Sequence, residues 1–177
     1  MSNDAPTVLI RPVRPADAAQ LREHCFSANT LAEVEARIAD AIEGHAAGTQ
    51  ILLVAEVDGT VVGTGTLTRR THPLHAHRGE LSSLVVHPHY QGRGIARRIV
   101  EAIREHAASL GVELLEVSCR GGTPAEPIYP RLGFVEYGRL PCGIVEPYGE
   151  RHAYDEVFLY MPVSLPHLPG SLDSSSP

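Results

Sequence analysis

Apolar positions follow two different periods in the first part of the chain. From Thr7 to Pro12 they alternate with polar ones, the pattern of a short strand. From Leu31 to His45 the residues Leu31, Val34, Ile38 and Ile42 recur three or four apart, the spacing of one helix face, and Gly44 or Gly48 supplies the stop. Between them, Pro15-Ala-Asp17 puts proline and an acid in a first helical turn and predicts a helix to about Cys25.

The run ILLVAEVDGTVVGTGTLTRR changes the period. Two stretches rich in β-formers flank Asp58-Gly59, a dipeptide suited to a two-residue hairpin turn. Thr71–Gly79 reads as a polar loop, and Glu80–Val86 as a strand ending in Leu84-Val85-Val86. Ile95, Ile99, Ile103 and Ala107 then mark the buried stripe of a helix to Leu110, with Gly111 placed to cap it. Val112–Ser118 reads as a strand buried on both faces. Thr123-Pro124-Ala125-Glu126 has the form of a helix start, with threonine as cap, proline first and glutamate third. Pro127 and Pro130 remove donors inside that helix, which should be short and bent. Phe134–Arg139 and Asp155–Met161 close as strands, separated by the glycine- and proline-containing stretch Pro141–Tyr154. The order is strand, two helices, three strands, helix, strand, short helix and two strands. That is one layered α+β domain over residues 1–163, and the proline- and serine-rich residues 164–177 are expected to form a disordered tail.

Composition narrows the function. The chain has 177 residues, enough for a single core, and a formal charge of −6, which argues against general affinity for nucleic acid or anionic membrane. No apolar run approaches the roughly 20 residues that span a bilayer, and the N-terminus lacks the basic and apolar stretches of a secretory signal, so a cytoplasmic location is expected. Three cysteines, Cys25, Cys119 and Cys142, have no paired spacing and offer neither a disulfide framework nor a zinc ribbon. All 15 basic residues are arginine, and Arg93, Arg97 and Arg98 cluster locally.

That cluster sits in the most informative segment, Leu84 through Ile103. A buried strand runs into Gln91-Gly92-Arg93-Gly94-Ile95-Ala96, and the loop opens an amphipathic helix. Glycines let backbone amides converge on one point, and the helix N-terminus adds roughly half a positive charge, so the turn suits a phosphate or pyrophosphate. A nucleoside-triphosphate P-loop needs a lysine, and the chain has none. A dinucleotide fingerprint needs a third glycine where Arg97 stands.

These residues resemble a known family. V-x-P-x-Y-Q-G-R-G-I-A is similar to the R/Q-x-x-G-x-G/A signature of the GNAT superfamily of N-acetyltransferases, and AEPIYPRLGF resembles that superfamily's later helix and strand. Within it, AEPIYPRLGFVEYGRLP looks like bacterial members related to the tabtoxin-resistance acetyltransferase. The resemblance covers about Leu9 to Met161. It implies a mixed, twisted sheet of about seven strands with helices on both faces, whose fourth and fifth strands splay apart to admit acetyl-CoA. Leu84, Val85 and Val86 would pair with the pantetheine arm, and Gln91, Gly92, Arg93, Gly94, Ile95, Ala96 and Arg97 would hold the pyrophosphate. An amine would attack the thioester directly. A strand amide near Val85 or Val86 would meet the oxyanion.

The same resemblance assigns Tyr129 as the acid that protonates the departing thiolate, a role suited to a phenol that stays protonated at neutral pH. It offers Glu116 as general base, with Glu80 as an alternative. The superfamily's frequent cofactor-contacting asparagine is missing near Gly121-Gly122. His72, His75 and His77 share one loop, but no cysteine or acid completes a metal site, and none is expected. The expected partner is a small-molecule amine. Glu146, Glu150 and Asp155 favour a cationic one, a protein N-terminus is the alternative acceptor, and an acyl-CoA-binding domain without catalysis is the alternative function. The resemblance also suggests a homodimer.

Overall fold

The computed structural model describes residues 7–146 and 151–163. Seven strands form one sheet in the order β1-β2-β3-β4-β5-β7-β6. They are β1 Val8–Pro12, β2 Gln50–Val57, β3 Thr60–Arg69, β4 Arg78–Val86, β5 Leu114–Arg120, β6 Val135–Glu146 and β7 His152–Pro162. Every pairing is antiparallel except β4 with β5. The helices are α1 Ala18–His24, α2 Leu31–Ala46, α3 Ile95–Ser109 and the single turn α4 Ile128–Arg131.

The apolar run of β2 is continuous because both faces of the sheet are covered there. Ile51, Leu53 and Ala55 point into one cluster with Ile95, Ile99 and Ile103 of α3, while Leu52 and Val54 point into another with Leu21 of α1 and Val34 and Ile38 of α2. The hairpin turn is the one its dipeptide predicts: Asp58 and Gly59 both hold positive φ, 48° and 80°, as a two-residue turn that follows the strand twist requires. Gly65 lets α3 lie close on β3, since a Cβ there would stand 2.7 Å from Ile99 Cγ2.

At the start of α1 a buried ionic group explains Asp17. Arg11 donates to both carboxylate oxygens of Asp17 at 2.7 and 2.8 Å and to Glu56 at 2.7 Å, and the Arg14 N–H also reaches Asp17. Pro15–Asp17 is a tight 3₁₀ turn, with α1 beginning after it.

Three expectations shift. Thr123 does not cap a helix: its hydroxyl donates to the Arg120 carbonyl, Glu126 accepts from the Gly122 N–H and from Arg139, and helical structure waits until Ile128. Prolines at 124, 127 and 130 leave too few donors for an earlier start. β6 continues through Pro141 to Glu146 and β7 begins at His152, so the two strands together take up most of the predicted loop, because on an edge strand proline loses no ladder bond and an irregularity between Leu140 and Ile144 takes up the extra residues. β5 begins at Leu114, and its second face is covered only in part: Leu115, Val117 and Cys119 are buried on one face, while on the other Glu116 is buried and Ser118 and Arg120 are exposed. The expected tail 164–177 and residues 147–150, Glu150 among them, lie outside the described residues.

Candidate functional site

The sheet opens in its middle. β4 and β5 are paired at three positions, Arg78 to Glu80 against Leu114 to Glu116, and beyond Glu80 their ladder ends. β4 carries a bulge there, since Thr64 and Thr66 of β3 face Val85 and Ser82, so three steps of β4 oppose two of β3. Ser83 takes up the extra residue with φ of 52°, a conformation rare for anything but glycine. The gap is a cleft of about 620 Å³, walled by Leu84, Val85 and Val86 on one side and by Ile128, Tyr129 and Leu132 on the other.

The glycine loop closes one end. Gln91, Gly92, Gly94, Ile95, Ala96 and Arg97 all line the cleft. Gly92 and Gly94 hold φ of 75° and 76°, which a side chain would strain, and Gly94 is the residue from which α3 starts. The first bond of that helix runs from the Arg98 N–H to the Gly94 carbonyl at 3.1 Å, so the N–H groups of Ile95, Ala96 and Arg97 have no helical acceptor. Gln91 Nε2 donates to the Val86 carbonyl at 2.9 Å and binds the loop to the strand. Arg97 donates to the Arg131 carbonyl at 2.9 Å and binds it to α4. Arg93 stands apart from the lining, its guanidinium 5.1 Å from the centre of the Tyr90 ring.

The acetyltransferase (GNAT) family model matches residues 16–134, two thirds of the chain, and covers the splay, the loop and Tyr129 together. The chain belongs to the GNAT family. A curated acetyltransferase of Yersinia pestis is 34% identical over 71 residues, which are 40% of this chain and 47% of that protein, so the match spans about half of the relative. Among solved structures, a ribosomal-protein-alanine N-acetyltransferase of Brucella melitensis superposes with a TM-score of 0.73 at 26% identity, over 87% of this chain and 99% of the other. The yncA protein of Salmonella typhimurium, solved with its cofactor acetyl-CoA, has the same fold, with a TM-score of 0.77 at 20% identity over 93% and 98% of the two chains.

In this GNAT chain the two candidate acid–base residues lie in unlike surroundings. Tyr129 lines the cleft from α4, half-buried, with its ring edge-on to Phe134 at 5.9 Å and 90°. Burial, then the neighbouring Cys119, pushes its phenol up to about 12. Glu116 does not line the cleft. It is buried on the opposite face of β5, where Arg78 clasps it through two nitrogens and the Tyr137 hydroxyl donates to it at 3.3 Å. Desolvation pushes its carboxyl up, but the Arg78 ion pair more than offsets this and holds it below the usual range. An acid committed in this way is a weak proton acceptor. Glu80 is paired with Arg70 at 3.0 Å. His72 and His75 have ring centres 5.4 Å apart, and among the described residues no group of three or more ligand-type side chains is placed to hold a metal ion.

The cleft wall also includes Ala125, Ile128, Arg131 and Leu132, and the sequence signal for it is the spacing of Ile128, Arg131 and Leu132, three and four apart around Tyr129. Ser83 carried no sequence signal at all. A bulge depends on the register of two strands, which one strand's pattern does not contain.

Proposed function

We propose that this chain transfers an acetyl group from acetyl-CoA to the primary amine of a small molecule by direct attack in a ternary complex. The observation that carries the reading is the joining, in one cleft, of an unladdered strand edge, a positive-φ glycine loop at a helix N-terminus and a half-buried phenol. The strand edge suits an amide-bearing arm laid beside it, as an added strand would lie. The free N–H groups of Ile95 to Arg97 suit a pyrophosphate. The thioester supplies an activated acyl carbon. When the amine nitrogen bonds to that carbon, the carbon–sulfur bond breaks and the sulfur leaves as thiolate.

Tyr129 serves as donor to that thiolate. Its raised phenol is the weaker acid, so complete transfer to a thiol of ordinary acidity is uphill, and the hydroxyl acts mainly by hydrogen bonding while the attacking amine's own proton restores neutrality. Glu116 is not assigned as base, because Arg78 and Tyr137 occupy it. The acceptor needs to arrive neutral or to yield its proton to water. A protein N-terminus is the competing acceptor, favoured by the similarity to the ribosomal-protein-alanine acetyltransferase.

Thermal melting with acetyl-CoA tests the cofactor. At about 100 times the dissociation constant the ligand contributes roughly 2.7 kcal/mol, or about 5–10 °C for a domain of this size. No shift at millimolar acetyl-CoA would defeat the reading. Gly94→Val should remove most of that shift, because a β-branched residue resists φ near 76° and tilts the first amides of α3. A Gly94→Val protein that binds as tightly as wild type by calorimetry would show that the loop does not hold the ligand.

A further inference from the structure

Ser83 is a non-glycine residue held at φ of 52°, and such strained outliers gather at working sites. Its hydroxyl emerges on the sheet face that α2 covers, opposite α3, where Arg37 Nη1 donates to it at 3.2 Å. The same guanidinium lies 4.9 Å from the centre of the Phe26 ring. Thr66, opposite Ser82 in the ladder, faces this side too, since its β2 partner Leu52 packs among α1 and α2. Thr66 Oγ1 is buried and has no hydrogen-bond partner among the described residues. Within one or two residues of the cleft strand Leu84–Val86, the side away from Tyr129 therefore gathers one guanidinium and two hydroxyls, one of them unused.

Several carboxylates on the strands around this point have partners of their own. Arg70 meets Glu80 at 3.0 Å, Arg78 meets Glu116, and Arg120 meets Glu146 at 2.5 Å. Asp155 accepts from the Cys142 N–H. Glu33, one turn before Arg37 on α2, is engaged with the Thr30 cap. Among the described residues no carboxylate pairs with Arg37. The acids expected to attract a cation are thus taken up by internal partners, apart from Glu150 outside the described residues, and the free charge beside the bulge is positive.

We propose that Arg37 selects acceptors that carry a carboxylate near the reacting amine, as free amino acids do. The inference rests on the acetyltransferase reading above. A single planar guanidinium matches the single charge and planar shape of a carboxylate, and an acceptor held there lies on the face of the splay opposite Tyr129. A peptide N-terminus, whose neighbouring carboxyl is an amide, lacks that group.

The test measures CoA release at saturating acetyl-CoA, with proteinogenic amino acids each compared with its primary amide. Because the amine of an amide is the more acidic and so more often neutral, the comparison is made per neutral amine, and on that basis acids should exceed amides by about 10- to 100-fold in kcat/KM. Arg37→Gln should lower kcat/KM for the acid by the same factor, mainly through KM, and leave amide turnover and the acetyl-CoA melting shift unchanged. Arg37→Lys should restore part of the loss. Preference for amides or for amines without a carboxylate, or an equal loss on both substrates in Arg37→Gln, would overturn the proposal and leave acetyl transfer standing. Absence of both the melting shift and CoA release with every amine would instead overturn the acetyltransferase reading.

Discussion

Replacing Tyr129 by phenylalanine is expected to lower kcat by about 100- to 1,000-fold while acetyl-CoA affinity stays within about twofold of wild type. The ring is a wall of the cleft and packs edge-on against Phe134, and phenylalanine keeps both contacts. The hydroxyl owes its altered acidity to burial and to Cys119, with no hydrogen bond contributing, so removing it strands no protein partner among the described residues. Melting temperature should therefore hold, and a loss of turnover would report chemistry. Steady-state CoA release and calorimetric titration on the same preparation check both halves. Unchanged kcat would exclude Tyr129 as donor. Tight binding with no turnover even in the unsubstituted chain would favour a domain that binds acyl-CoA without catalysis.

The second large effect lies far from the cleft. Arg11→Met should destabilise the fold by about 3–5 kcal/mol, because it leaves Asp17 buried without its cation. The sign of the pH dependence makes the test specific. In the wild type, desolvation pushes the Asp17 carboxyl up, but Arg11 and the Arg14 N–H pull it further down, below its ordinary 3.8. Its contribution is thus present above that pH and is lost as pH falls through the lower folded value. Without Arg11 the folded carboxyl loses the largest downward pull and takes up its proton at a higher pH than in the wild type, so the cost of the substitution shrinks as pH falls. Urea midpoints of the two proteins should differ most at pH 7 and draw together as pH falls. A constant gap would mean that Arg11 acts by packing its stem.

Much of this architecture is written in local pattern. The Asp58-Gly59 turn, the α3 stripe and the Gly92/Gly94 loop each depend on residues adjacent in the chain, and each formed where its pattern placed it. The helix start at Thr123 misled because a cap-like tetrapeptide competes with what its side chains can reach across the fold. Arg139 and the Gly122 N–H took Glu126 away from the capping role. Glu116 misled for a related reason: position on a strand says which face a carboxylate takes, while its basicity depends on Arg78 and Tyr137, 38 and 21 residues distant in sequence. The bulge at Ser83 and the contact to Arg37, 46 residues away, likewise exist in the folded register alone.

The short ladder between β4 and β5 also bears on how the molecule comes apart. Three parallel pairs are the sheet's one seam between its first four strands and its last three, and parallel pairs are the weaker kind. Each side has its own antiparallel hairpins, so breathing should divide the sheet there, as two cooperative units that open at different free energies. A molecule laid along both exposed edges would then act as a removable strand. Amide hydrogens of β4 and β5 would exchange with solvent in step with its absence, and the chain would be most rigid at the moment its cleft is filled.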